Sequence, residues 1–203
     1  MIVVPSSIAS AFVVHLARPR SMPIAFDVDR AFDLACALAA IGWLALALAA
    51  VLEGRARRRD CASPEGERSR IGDDRSRAET LRSIAGAIAL AECVGYVALL
   101  SSALGEIDGT RASFRDLDGV GAAFESRRAL CAGWVHYLAF DLLLGRRLIR
   151  REGERGVPVC LTLGLTAPLT LLAGPVGYVW SETFAQRALG RGKGGQKSPS
   201  KRA

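Results

Sequence analysis

The sequence predicts an all-α integral membrane protein, a bundle of four transmembrane helices with a short interfacial helix before the third span. Three observations predict it. Apolar residues gather into four blocks with nearly every charge between them, whereas an amphipathic soluble helix would interleave the two every three or four positions. Three of the blocks reach the roughly 20 residues that a hydrocarbon core about 30 Å thick requires of a helix. The 27 Lys+Arg flank the blocks instead of forming a stripe interleaved with aromatics, which points to phospholipid headgroups and away from nucleic acid. The mean hydropathy of +0.23 is thus an average over two unlike populations.

The organisation expected from these blocks is a leader over residues 1–24, a membrane domain over 25–185 and a basic tail over 186–203. In the leader, a short apolar run from Ile8 to Leu16 is followed by Arg18, Pro19 and Arg20, so the charges come after the run and not before it as in a signal peptide. It reads as disordered, or as sequence upstream of a start at Met22. The Gly/Lys/Ser-rich tail reads as disordered too, and its Gly192-Lys193-Gly194-Gly195 lacks the spacing of a phosphate-binding loop. No cofactor motif is found elsewhere. Five well-separated cysteines offer neither a disulfide framework nor a metal knuckle, and two histidines exclude a multi-His metal centre.

The first span is expected over about 31–52, with Asp33 at its first turn suiting the positive end of the helix dipole. The second, about 83–105, contains one ionisable residue, Glu92. The third, about 129–145, is the shortest and holds His136 and Asp141. The fourth, about 157–181, has no charge but includes Pro168 and Pro175, which membrane helices tolerate when neighbours satisfy the freed carbonyls. Trp43 and Trp180 read as interfacial anchors. Between the first two spans, Glu53 to Thr80 lacks apolar periodicity and reads as a mobile tether. Between the second and third, Phe114, Leu117, Val120 and Phe124 are spaced as the apolar face of a short helix lying at the interface.

With four spans, the first and third loops hold 14 basic residues and the other side 13, so number alone does not orient the chain. The tightest clusters, Arg55 to Arg59 and Arg146 to Arg151, abut helix ends and favour cytoplasmic first and third loops.

Ionisable side chains at membrane depth cost about 2.5 kcal/mol or more, so by default they face the bundle and serve a function. Wound at about 100° per residue, the third span separates into two halves. One carries His136, Phe140, Tyr137, Asp141 and Trp134, and the other is aliphatic. The expected arrangement has the aliphatic half against lipid and the polar half turned into a pocket. Glu92 and Asp141 fall within roughly 3 to 6 Å of the midplane, with His136 nearly central. Tyr96, four residues after Glu92, shares its face. Thr162, Thr166 and Thr170 form a hydroxyl stripe of the kind that usually fixes helix packing.

The run Ala132-Gly133-Trp134-Val135-His136-Tyr137-Leu138-Ala139-Phe140-Asp141-Leu142, continuing to Gly145-Arg146, resembles the signature of the ABA4-like family. Gly42-Trp43, Gly119-Val120 with Phe124, and Gly174-Pro175-Val176-Gly177 support the likeness, which covers roughly residues 25 to 185. The resemblance implies a small four-helix membrane protein, linked in plants to converting the epoxy-carotenoid violaxanthin into allenic neoxanthin. That conversion is a redox-neutral isomerisation needing a base at the polyene and an acid at the epoxide oxygen. On this likeness His136 and Asp141 are the expected proton movers, with Glu92 a further candidate. Trp134, Tyr137, Phe140 and Tyr96 would bind the substrate, a membrane lipid or isoprenoid. The function expected is an isomerase of the carotenoid-epoxide type in a bacterial inner membrane. A non-catalytic pigment- or lipid-binding or assembly module is the alternative, as is a proton-linked carrier relaying through Glu92 and Asp141, for which four helices would require a homo-oligomer.

Overall fold

A computed structural model describes residues 27–62 and 68–185, and among them every regular element is helical. The expected leader and the expected tail lie outside the described residues. Three long helices form the body: α1 (Val28–Ala62), α2 (Arg68–Ala103) and α4 (Arg127–Arg155), with a short α3 (Leu117–Ala123) before α4. At 1.5 Å per residue the long helices measure about 44 to 54 Å. By length and composition, α1 and α2 can each cross a membrane.

Small residues at heptad spacing draw these helices together. From Ala78 onward the buried positions of α2 are Ala78, Arg82, Ala85, Ala89, Glu92, Leu99 and Ala103, an alternation of four and three that skips only Tyr96. On α1, Ala35, Ala39, Gly42, Leu46, Ala49 and Ala56 keep the same register. Such a repeat keeps one seam facing its neighbours along the whole helix, and alanine or glycine in the seam lets backbones approach closely. Trp43, expected as an interfacial anchor, instead lays its ring on Gly145 of α4, where a Cβ would overlap it.

The tether expected between the first two spans is replaced by helix. α1 and α2 continue beyond their apolar parts and remain paired, because Ala56, Ile71 and Ala78 extend the seam while charges join across it. Arg59 meets Asp74 at 2.8 Å and Arg75 meets Asp60 at 2.7 Å. Nearer the apolar region, Glu53 receives both Arg57, at 2.5 Å, and the buried Arg82. Exposed pairs of this sort contribute about 0 to 1 kcal/mol each, but Arg82 is only 7% exposed and would otherwise be an uncompensated charge. Burial, then the nearby Arg150, lowers the Arg82 pKa from its ordinary value against the pull of Glu154.

The expected fourth span does not run the height of the bundle. It enters as a first arm, Val159–Leu172, made of α5 (Val159–Leu161), a π-wound stretch (Thr162–Thr166) and α6 (Ala167–Leu172). It then breaks at Ala173, whose φ of −159° and ψ of 83° are not helical. A second arm, α7 (Gly174–Trp180) and a π-wound stretch (Ser181–Ala185), returns beside the first. Gly177 packs on the backbone of Thr170. Near the base, Thr166 donates to Glu152 at 2.7 Å and Glu182 pairs with Arg151, so two points 16 residues apart in sequence meet consecutive residues of α4. Fourteen residues of first arm reach about 21 Å, short of the core thickness. The break has a local cause: Pro175 has no N–H to give the Leu171 carbonyl four residues earlier and its ring would crowd that carbonyl, so a new helix starts at Gly174, its first turn closed by Val176 N–H donating to the Ala173 carbonyl at 2.8 Å.

This hairpin changes the charge count. The second arm ends, near Glu182, at the same end as the first and third loops; with the basic residues that follow in the sequence counted on that side, it has 20 and the other 7. The expected orientation is therefore with the first loop, third loop and C-terminus cytoplasmic. Reporter fusions at Cys61, Thr110 and Ala203 check it: Cys61 and Ala203 report the cytoplasm and Thr110 the opposite side. A C-terminal reporter agreeing with Thr110 would mean that the fourth segment crosses.

Candidate functional site

The face that α4 turns inward is set by size. Ala132, Val135, Ala139 and Leu142 are all buried against α1 and α2, since only small or aliphatic side chains fit the narrow seams. The aromatic half is thereby pushed outward, reversing the sidedness expected from polarity. Trp134 is 44% and Phe140 59% exposed, and His136 is exposed with them. The His136 ring lies 5.0 Å from Tyr96 of α2 and 6.2 Å from Phe140, so those three form one outward aromatic patch.

Asp141 stands about 140° further round the helix and is 3% exposed. The hairpin covers it. Gly174, at the turn, comes so close to the carboxylate that a Cβ there would overlap Asp141 Oδ1. Tyr137, one turn before Asp141, donates its hydroxyl to the Leu172 carbonyl at 3.0 Å, and the phenol lies beside the Asp141 carboxyl. The broken helix frees that carbonyl, and the tyrosine satisfies it, as backbone polar groups in a lipid environment require. Asp141 Oδ2 has no hydrogen-bond partner among the described residues. Asp141 and His136, expected to share a cavity, are thus not brought together.

A cavity of about 560 Å³ lies on the Tyr137 side, walled by Phe32 of α1, Phe124, and Leu130, Gly133, Trp134 and Tyr137 of α4. Trp134 is held by its indole N–H directed at Cys36 Sγ at 3.4 Å, with its ring 5.9 Å from Phe32 and 6.0 Å from Tyr137. Gly133 leaves room for the Phe124 ring. At one end, Arg127 and Asp29 pair at 2.6 Å. Of the four expected substrate-binding aromatics, Trp134 and Tyr137 line this cavity, while Phe140 and Tyr96 do not. Phe32 and the hairpin turn were not anticipated from sequence. The only signal for the turn was Gly174-Pro175, which reads equally as a tolerated kink.

Glu92 sits in the α2 seam, 3% exposed, with neither carboxyl oxygen partnered among the described residues. Its depth matches that of Asp141, because α2 and α4 run antiparallel with Gly86 beside Arg146 and Tyr96 beside His136. No hydrogen bond or ion pair joins the two carboxyls. Thr162, Thr166 and Thr170 are all buried; Thr170 donates to the Thr166 carbonyl at 2.7 Å and Thr166 to Glu152, which fits a packing role.

A family model described as ABA DEFICIENT 4-like matches residues 30–180. The chain belongs to the ABA4-like family. The ABA4-like match takes in the three long helices and both arms of the hairpin as far as Trp180, and hence Asp141, Tyr137, His136 and Glu92. No curated protein and no solved structure matches the chain.

Two substitutions test this geometry by thermal unfolding in detergent. Glu92→Leu removes an unpartnered buried carboxyl and is expected to stabilise the fold by about 1 to 3 kcal/mol; a lowered melting temperature would mean that Glu92 has a partner. Gly174→Val drives a branched side chain into Asp141 and is expected to cost about 1 to 3 kcal/mol, whereas a neutral effect would contradict the close approach.

Proposed function

We propose that this ABA4-like protein is a membrane isomerase that binds a carotenoid or related isoprenoid lipid in the aromatic cavity and moves protons with Asp141 and Tyr137. The observation that carries the reading is that Tyr137 belongs to both places: its ring walls the cavity, and its hydroxyl lies beside the buried Asp141. The cavity suits a rod-shaped apolar ligand with a polar end. Its mouth bears the Asp29–Arg127 pair, and Tyr137 lies ten residues, or about 15 Å, deeper along α4.

In a redox-neutral opening of an epoxide, the Tyr137 hydroxyl, which belongs to the cavity wall, gives its proton to the epoxide oxygen as the carbon–oxygen bond breaks. The tyrosinate then takes the proton of the polyene carbon next to the ring as that C–H electron pair forms the new double bond. Asp141, covered by the hairpin and outside the cavity wall, exchanges its proton with the phenol and does not touch the ligand, so the product keeps the substrate's composition with one hydrogen moved from carbon to oxygen. A dry site strengthens both transfers, because charges that develop there meet fixed dipoles instead of mobile water. His136 belongs to the outward patch with Tyr96 and Phe140, and in this scheme it packs and does not transfer a proton. The setting proposed is a bacterial inner membrane.

A second reading, a module that holds pigment without changing it, draws on the same cavity and lacks only the proton chemistry. Expression in carotenoid-producing bacteria followed by pigment chromatography separates the two. Under the isomerase reading a new isomer forms, Asp141→Asn lowers its rate by about 10² to 10⁴, Tyr137→Phe lowers it similarly, and His136→Ala leaves it within a few-fold. Unchanged pigment co-purifying with the protein would support the module. Loss of the isomer in His136→Ala but not in Asp141→Asn would overturn the assignment of roles.

A further inference from the structure

A second pair of cavities lies at the opposite end of the bundle, between α1 and the first arm of the hairpin. One, of about 280 Å³, has Arg57, Arg58 and Glu53 on the α1 side and Val159, Cys160 and Thr162 on the other. The next, of about 460 Å³, is lined by Val51, Arg55, Arg58, Arg59 and Leu163 and shares Arg58, Val159 and Cys160 with the first. They form one groove. Gly54 makes it possible for the arm to come so near, because a Cβ there would overlap Val159.

The charges of the groove fall into two groups. Arg57 is spent on Glu53, which also holds Arg82, and Arg59 is spent on Asp74. Arg55 and Arg58, three residues apart and so on one face of α1, are exposed and have no ion pair or hydrogen bond among the described residues. Val51, one turn before Arg55, continues that face into the apolar part of the helix, and Leu163 lies across from it. The groove thus offers two free guanidiniums above an apolar channel, at the level where α1 leaves its apolar stretch. Guanidinium forks match the oxygens of a phosphate group, and this end of the molecule carries the excess of basic residues that faces an anionic leaflet.

We propose that this groove is a binding site for an anionic phospholipid, its phosphodiester held by Arg55 and Arg58 and one acyl chain lying along Val51 and Leu163. The site is separate from the aromatic cavity, and its existence does not depend on the isomerase reading. Charge complementarity selects the headgroup and the apolar channel selects a lipid over a free phosphate.

Cys160 lies in the groove and is exposed, so it reports occupancy. The full chain is reconstituted in nanodiscs of phosphatidylglycerol or of phosphatidylcholine, and alkylation of Cys160 by a maleimide is followed by peptide mass spectrometry. Labelling is expected to be several-fold slower in phosphatidylglycerol. The difference disappears in R55Q/R58Q, which keeps side-chain length and helical propensity, and persists in R70Q/R77Q, which removes equal charge from the exposed face of α2. Equal labelling in the two lipids, or protection that survives R55Q/R58Q, would overturn the proposal. Protection in phosphatidylcholine discs on adding millimolar inorganic phosphate would overturn the lipid assignment in favour of a soluble anion.

Discussion

Close approach of three helices along seams of small residues is the constraint on which the rest of this structure depends. In a bilayer, apolar side chains gain nothing by leaving lipid for protein, so association relies on contact between surfaces that fit. Alanine and glycine in the seams of α1, α2 and α4 provide that fit; the inward face of α4 is filled by Ala132, Val135, Ala139 and Leu142, and the one ring that enters, Trp43, does so where Gly145 makes room. Trp134, Tyr137, Phe140 and His136 are consequently displaced to the outside of α4. What polarity alone would place in the interior is moved to the perimeter by volume.

The displaced aromatics then acquire a purpose from what covers them. Tyr137 donates to the Leu172 carbonyl at the break of the hairpin, and Asp141 is sealed beneath Gly174. The helix break and the acid site are thereby coupled: the turn supplies a polar group at depth, and the tyrosine joins that group to the carboxylate and the cavity. Removing the fold-back would leave Asp141 facing lipid. On the far side of α4, His136 rests on Tyr96, and it is this packing, together with the intervening helix, that separates imidazole from carboxylate.

Beyond the apolar region the same seam continues with different chemistry. Ala56, Ile71 and Ala78 carry the contact between α1 and α2 outward, and arginine–carboxylate pairs replace apolar packing on either side of it. Of the arginines that line the groove, Arg57 and Arg59 are neutralised by carboxylates. The other two, Arg55 and Arg58, stand over the apolar groove beside the hairpin, so free positive charge lies where an acyl chain would also fit.

Segregation of apolar from charged residues was enough to read the membrane class and the first two long helices, because each depends on transfer free energy summed over a stretch of chain. The Trp-x-His-x-x-x-x-Asp-Leu run likewise led to the ABA4-like family from sequence. Direction was not legible. A hydropathy block of 25 residues with two prolines has the same composition whether it crosses or doubles back, and only the packing of Gly177 on Thr170 and the return of Glu182 to Arg151 decide it. The facing of α4 was decided in the same manner, since a helical wheel ranks side chains by polarity while the seam admits them by volume. The partnering of Tyr137 with Leu172 and Asp141 is a contact between segments distant in sequence, and no local pattern encodes which of them will meet.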